Sequence, residues 1–365
     1  MMSRSGIEPA LGTPIPVLVL SGFLGSGKTT LLNAMLKLPA LAGTAVVINE
    51  FGEVSLDHHL VQSADDGVIE LTNGCLCCTV RGKLIDTLEA LLTRDPAPAA
   101  IIIETTGLAD PLPVLAAIMS APKICDNLSL RGLFTVFDAA AGSDTLDRFD
   151  EARHQIMLAD RIILSKTDLL NGPEGHKPAV DLLAAINPEC TIQTPAELLD
   201  EIAACTSGSW LEETAPAARS AGQPDNHVHH HGHDINRHSE RICCVTLRAD
   251  KPVKRSQLDL FLELMLSAHG DHVLRIKGLV KVEGKEKPLL VQAAGSRLSS
   301  PEFLPAWPGD VEHTSLVVFL EDMDPGFVTD LFASATNRPL VDRADHQALA
   351  DNPLAIDGLR LGNPK

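Results

Sequence analysis

Val17-Leu18-Val19-Leu20-Ser21-Gly22-Phe23-Leu24-Gly25-Ser26-Gly27-Lys28-Thr29 is the stretch that decides the fold. Its first four residues read as a buried strand, and the chain after Thr29 has the apolar spacing of a helix. Between the two, Gly22 to Thr29 fits the pattern G-x-x-x-x-G-K-[ST], a phosphate-binding P-loop in the strand, turn and helix setting that the pattern requires. Glycines let backbone N–H groups turn inward around phosphate oxygens, and the helix N-terminus adds the positive end of its dipole. Lys28 is expected to reach the β and γ phosphates as a catalytic cation, and Thr29 to ligate Mg2+. Gly22, Gly25, Ser26 and Gly27 complete the expected cradle.

Working outward, residues 45–49, 100–103, 132–137 and 161–164 are further short apolar runs, each separated from the next by enough chain for a helix. Amphipathic stretches at 29–38, 82–92 and 147–158 fill gaps between them. This pattern predicts an α/β fold, a doubly wound and mainly parallel sheet of the P-loop NTPase kind. After Trp210 the sequence turns poor in apolar residues and rich in Ala, Pro, Gly, Asn and His, as linkers are. Beyond it, residues 242–248, 272–282, 288–294 and 314–320 read as strands, and 256–268 and 326–335 as helices, predicting a small α+β C-terminal domain. The expected division is an N-terminal extension at 1–14, the P-loop domain at 15–212, a His-rich linker at 213–240, the α+β domain at 241–336 and a polar tail at 337–365.

Composition narrows the function. The 365 residues are 45% hydrophobic and 21% charged, enough for two cores. A formal net charge of -18 argues against nucleic acid and anionic membrane as partners, because both call for clustered Lys and Arg. No apolar run reaches the roughly 18 residues of a membrane span. MMSRSGIEPALGTPIP has no apolar export core, so the expected location is cytoplasmic and the eight cysteines are expected to be reduced.

The bound base should be set by Ser165-Lys166-Thr167-Asp168, after the run 161–164. Guanine presents N1–H and the N2 amino group to one carboxylate, whereas adenine has no donor at N1, so a buried Asp168 favours guanine. The Lys166 stem is placed to cover the base. Ser165 stands where the usual Asn-Lys-x-Asp signature has Asn, which predicts a loop that is less well tied. Glu104, ending the run 101–103, is a candidate catalytic carboxylate for ordering Mg2+, its waters or the attacking water. The Gly107 amide is a candidate sensor of the γ-phosphate on a switch loop. For Asp138, helix capping and a nucleotide role weigh equally.

Cys75, Cys77 and Cys78 place three thiols on one short loop after a short strand at 68–71. Thiolates select zinc, copper(I) or similar soft ions; tetrahedral zinc wants four ligands, so three from this loop leave one position open, which suits a carrier better than a structural site. Glu50, Glu53 and Asp57 on the preceding loop are alternatives for a fourth ligand or for Mg2+. His227, His229, His230, His231 and His233 are auxiliary metal candidates that raise local metal concentration. Cys243 and Cys244, at a strand start, read as core residues.

In this order, GFLGSGKTT, NEFGEVSLD, TNGCLCCTV, ETTGLADP and SKTD resemble the CobW-type family of P-loop GTPases, relatives of the nickel-insertion GTPases of urease and hydrogenase. VLRIKG and LPAWP are similar to that family's C-terminal domain. The resemblance implies GTP/GDP with Mg2+ at Gly25 to Thr30, guanine recognition at Lys166 and Asp168, and metal at Cys75, Cys77 and Cys78 with a part for Glu50. It further implies slow GTP hydrolysis coupled to delivery of zinc, cobalt or another transition metal to a client metalloprotein. The client is left open, as is the choice between monomer and homodimer. Two other classes stay in view: a non-catalytic metal buffer or sensor with structural nucleotide, and an ATP-dependent P-loop kinase.

Overall fold

The run at 17–20 becomes β1 (Ile15–Ser21) of a computed structural model that describes residues 14–49, 68–70, 78–170, 172, 175–188, 190–205, 210–213, 242–307 and 312–336. Val17 and Val19 face one apolar cluster and Leu18 and Leu20 another. Period-two alternation with both faces apolar is why the strand reads as a continuous hydrophobic run.

β1 pairs in parallel with β4 (Ala100–Thr105) on one side and β5 (Leu128–Asp138) on the other. With β2 (Thr44–Asn49), β3 (Val68–Glu70), β6 (Arg161–Ser165) and β7 (Thr191–Gln193), the described strands form a parallel sheet in the order β3-β2-β4-β1-β5-β6-β7. Parallel neighbours need crossovers, and α1 (Lys28–Met35), α2 (Cys78–Leu92), α3 (Leu112–Ser120), α4 (Pro122–Cys125), α5 (Gly142–Arg148), α6 (Asp150–Leu158) and α7 (Lys177–Ile186) lie in them; α8 (Pro195–Ala204) and α9 (Trp210–Glu213) follow the last strand. α2 and α3 cover one face, while α1, α8 and α9 pack on the other. α8 starts where its sequence says it should. Thr194 Oγ1 accepts from the Glu197 N–H, the Glu197 carboxylate accepts from the Thr194 N–H, and Pro195 occupies the first turn.

Two local expectations are corrected, and one strand is added. The helix read at 147–158 is two helices, α5 and α6, because Phe149 is extended between them (φ −135°, ψ 115°) and its ring packs 4.7 Å from that of Phe23. α2 begins at Cys78, not at 82, so the cysteine motif runs into the helix. β7 was not read from the sequence, because its three residues are only half-buried and carry little apolar pattern.

The second domain has β8 (Ile242–Ala249), α10 (Arg255–Ala268), β9 (Val273–Val280), β10 (Leu289–Ala294), β11 (Arg297–Leu298), β12 (Glu302–Phe303), β13 (Thr314–Glu321) and α11 (Pro325–Ala335). Its described strands are antiparallel in the order β11-β10-β9-β13-β8, with β12 also on β10. α10 and α11 cover one face through Phe261, Met265, Val328 and Phe332. The other face lies against the P-loop domain, where Ala294, Val317 and Phe319 join a cluster with Leu115, Leu133 and Leu158. Among the described residues, no helix is long and apolar enough to cross a membrane.

Candidate nucleotide site

The C-terminal edge of the parallel sheet brings the candidate loops together. Leu20 pairs with Glu104, Ser21 with Thr135, and Asp138 with Ser165, so the loops after β1, β4, β5 and β6 leave the sheet side by side. Ligands in open α/β sheets bind at this edge.

Gly22 has φ +139°, and a Cβ there would lie 2.3 Å from the Val136 carbonyl oxygen, so the loop can leave β1 this close to β5 only with glycine. Gly25 and Gly27 are also left-handed, and Gly27 caps α1. Buried Lys28 bends back over the loop, its Nζ donating to Gly22 O at 2.9 Å and Phe23 O at 3.3 Å. Those carbonyl oxygens accept the protons that phosphate oxygens would accept. Ser26 Oγ is buried without a hydrogen-bond partner among the described residues. A left-handed loop, a helix N-terminus, a lysine and an orphaned hydroxyl together fit a polyphosphate. Thr30 is exposed on α1.

Thr29 Oγ1 donates to Glu104 Oε1 at 2.8 Å. Glu104 lies inside β4 and is only 5% exposed. A hydroxyl beside a buried carboxylate is a hard oxygen pair of the kind that suits Mg2+.

The loop after β4 is pinned from two sides. A Cβ on Gly107 would lie 2.6 Å from the Leu24 amide nitrogen, so the loop rests on the P-loop backbone. From behind, Gln155 Nε2 donates to Gly107 O at 3.1 Å and Ala109 O at 3.0 Å, and the Gln155 carbonyl oxygen accepts from Thr135 Oγ1 at 2.9 Å. Next to it, His154 Nδ1 lies 3.7 Å from Asp110 Oδ2. The Asp110 carboxylate raises the His154 pKa against the effect of burial, and the charges of Glu321 and Asp150 add to the rise.

The expectation of a loosely tied base loop is corrected. Ser165 Oγ donates to Ser26 O at 2.6 Å, with Phe137 O a second acceptor at 3.1 Å, so a hydroxyl joins this loop to both the P-loop and β5. Asp138, weighed for helix capping and for a nucleotide role, ties the turn before α5 to Lys166, and the N-cap of α5 is Ala141 without a side-chain cap. Its Oδ1 accepts from the N–H groups of Ala140 and Ala141, and its Oδ2 from Lys166 Nζ at 2.6 Å. Burial pushes the Asp138 carboxyl up, but the Lys166 hydrogen bond and the two amides hold it below its ordinary value. Lys166 is itself left-handed (φ +56°). Asp168 sits in the turn Thr167–Leu169 and is exposed, not buried as the guanine argument expected.

Among the metal candidates, Glu50, Glu53, Asp57, Cys75, Cys77, His227, His229, His230, His231 and His233 lie outside the described residues. The described flanks lie on the same sheet edge: Ile48 pairs with Glu70, the last residue of β3, and Cys78 opens α2. Cys243 and Cys244 pack against the two cores, as read.

Residues 16–194 match the family model described as CobW/HypB/UreG, nucleotide-binding domain, and residues 242–336 match Cobalamin synthesis protein cobW C-terminal domain. The chain is 31% identical to the zinc chaperone YjiA of Escherichia coli (strain K12), over 83% of this chain and 93% of that one. The chain belongs to the CobW family of P-loop GTPases. It is also 32% identical to the zinc chaperone CobW of Sinorhizobium sp, over 86% of this chain and 95% of the relative. The crystal structure of the Zn(II)-bound YjiA GTPase from E. coli superposes with a TM-score of 0.56 at 26% identity, covering 89% of this chain and 99% of that one.

The CobW C-terminal domain is joined to the nucleotide-binding domain through buried charge. Asp160, just after α6 and 3% exposed, accepts from Arg275 Nη2 at 2.6 Å, Lys277 Nζ at 3.1 Å and the Leu133 N–H at 2.7 Å. Arg275 also donates to Leu158 O, and Lys277 Nζ to Ala159 O at 3.2 Å. Burial alone would raise the Asp160 carboxyl; Arg275 and Lys277, the Leu133 N–H and the Arg275 hydrogen bond outweigh it and hold the pKa at about 2. Gln292 Nε2 adds a bond to Leu130 O at 2.9 Å. Sequence reasoning missed Gln155, Asp160, Arg275 and Lys277. The available signal was alternating Arg and Lys inside the otherwise apolar strand VLRIKGLV, a pattern ordinarily read as a solvent face.

Proposed function

We propose that this protein binds GTP with Mg2+, hydrolyses it, and couples the nucleotide state to loading and delivery of zinc at Cys75, Cys77 and Cys78, with Glu50 beside them. The observation that carries the nucleotide reading is the Ser165 hydroxyl bonded to the P-loop at Ser26. It fixes the base-reading loop at a set place relative to the phosphate cradle, so a nucleotide is gripped at both ends. In this reading Lys28 exchanges its loop carbonyls for phosphate oxygens, Asp138 holds Lys166 over the base, and exposed Asp168 accepts from guanine N1–H and the N2 amino group. Thr29 and Glu104 would hold Mg2+, which when bound neutralises charge on the β and γ phosphates. Glu104 orients water at the γ-phosphate, and Gly107 donates its N–H there.

The zinc reading is supported by the thiol-rich motif, by its described flanks on the nucleotide edge, and by relatives named as zinc chaperones. The delivered metal is cargo, and the recipient is a client metalloprotein. Hydrolysis of GTP and of ATP should be measured with and without stoichiometric zinc, on the intact chain and on Cys77→Ala and Asp168→Asn. Zinc-dependent turnover of GTP, lost in Cys77→Ala, is expected. Asp168→Asn should shift preference from GTP to xanthosine triphosphate, whose C2 carbonyl accepts from the new amide. Equal turnover of ATP and GTP that ignores zinc would sink the proposal.

A further inference from the structure

The C-terminal half of α6 carries two sets of polar contacts, one to the 106–110 loop and one to the C-terminal domain. Gln155, 1% exposed, spends both amide protons on the Gly107 and Ala109 carbonyls of the switch-loop candidate. Three to five residues on, at and just past the C-terminal end of the helix, the Leu158 and Ala159 carbonyls and the Asp160 carboxylate hold Arg275 and Lys277 of the C-terminal domain. Gln155 and Asp160 also fasten the segment to β5, by Thr135 on the Gln155 backbone carbonyl and by the Leu133 N–H on Asp160. Gly107 in turn has no room for a Cβ against Leu24 of the P-loop.

We propose that Gln155 is the positioning residue of the 106–110 loop and that α6 couples the state of that loop to the seating of the C-terminal domain. The proposal rests on reading this loop as nucleotide-responsive. The physical argument is one of packing. A loop wedged against the P-loop backbone cannot follow a phosphate without either breaking the two Gln155 bonds or carrying α6 with it. An α6 that shifts must then disturb three buried acceptors for two cations that have no solvent to turn to. This is a chain of discrete, directional contacts whose equilibrium both ends can bias.

The test is hydrogen exchange on the full-length protein, nucleotide-free and with a non-hydrolysable GTP analogue or GDP, read at residues 105–112 and 273–280. Turnover and nucleotide Kd are measured alongside. In the unaltered protein the two segments should respond together to nucleotide. Gln155→Met keeps the volume and removes both donors; it should speed exchange at 106–110 by about tenfold and lower kcat by about tenfold, with nucleotide Kd within about twofold. It should also abolish the response at 273–280. Lys277→Met, which leaves Arg275 to pair with Asp160, should speed exchange at 106–110 even without nucleotide. It decides the matter if Gln155→Met fails to fold. Exchange at 106–110 unchanged in Lys277→Met, or turnover and exchange unchanged in Gln155→Met, would overturn the coupling. If the unaltered protein does not turn over GTP yet Lys277→Met loosens 106–110, the coupling stands and the GTPase reading falls.

Discussion

Ser165 is the residue at which the family pattern and this chain part company, and the structure gives the serine a defined job. Its hydroxyl sits 2.6 Å from the Ser26 carbonyl oxygen in a place only 8% exposed. Ser165→Ala removes that donor and leaves buried acceptors without it, at a cost of about 1–2 kcal/mol. The cost should appear as a melting temperature a few degrees lower, and, because the bond joins base loop to cradle, GTP affinity is expected to drop as well, by up to about tenfold in titration calorimetry. Equal affinities for the two proteins would mean that the base loop is placed by other contacts. The motifs picked out the candidate nucleotide residues, since the P-loop and the base loop are each one contiguous run of sequence. They could not tell that a hydroxyl replaces an amide here, because the acceptor is 139 residues away.

Elements behind the site matter through packing. α8 supports the sheet from the face opposite α2 and α3, burying Leu198 and Ile202 against Leu18, Leu20 and Trp210. Its start depends on the Thr194 capping box. Thr194→Ala should lower the unfolding free energy by about 1 kcal/mol, seen as a shift in denaturant midpoint with an unchanged slope. Nucleotide affinity should stay the same, because no capping group touches the cradle. A fall in affinity matching that of Ser165→Ala would show that the two faces of the sheet are not energetically separate. α8 was not among the helices read from the sequence, although Thr, Pro and Glu at its start are a local hydrogen-bonding signal that could have found it. The break at Phe149 carries no such signal, because it rests on a ring contact with Phe23, far away in the chain.

For the whole molecule, the domain seam is an ionic arrangement set among apolar side chains. Asp160 has a folded pKa of about 2 against an ordinary value of 3.8. Depressed in the folded state, it contributes stability that is complete above about pH 4 and is lost as pH falls toward 2. The contribution is about 2 kcal/mol. Urea unfolding at pH 6 and at pH 2.5 should therefore show a smaller acid loss in Asp160→Asn than in the unaltered protein. At pH 6 that variant should be less stable by about 3–5 kcal/mol, because Arg275 and Lys277 keep their burial and lose their anion. An unchanged acid profile in the variant would show that the seam does not carry the acid sensitivity.

The sequence by itself determined the parallel α/β sheet, the P-loop, the place of the candidate base loop and the small second domain. All are written in short-range patterns: alternation of apolar residues and glycine spacing, whose physics acts within a few residues. Tertiary structure alone decided that Arg275 and Lys277 are buried and not solvated, and that Gln155 backs the Gly107 loop. It also decided that Ser165 finds the P-loop carbonyl. In each case the partner lies far along the chain: 115 residues separate Arg275 from Asp160, and 48 separate Gln155 from Gly107. A polar side chain states in sequence only that it needs a partner. Which partner it receives, water or a buried group, is fixed by how the sheets and helices pack.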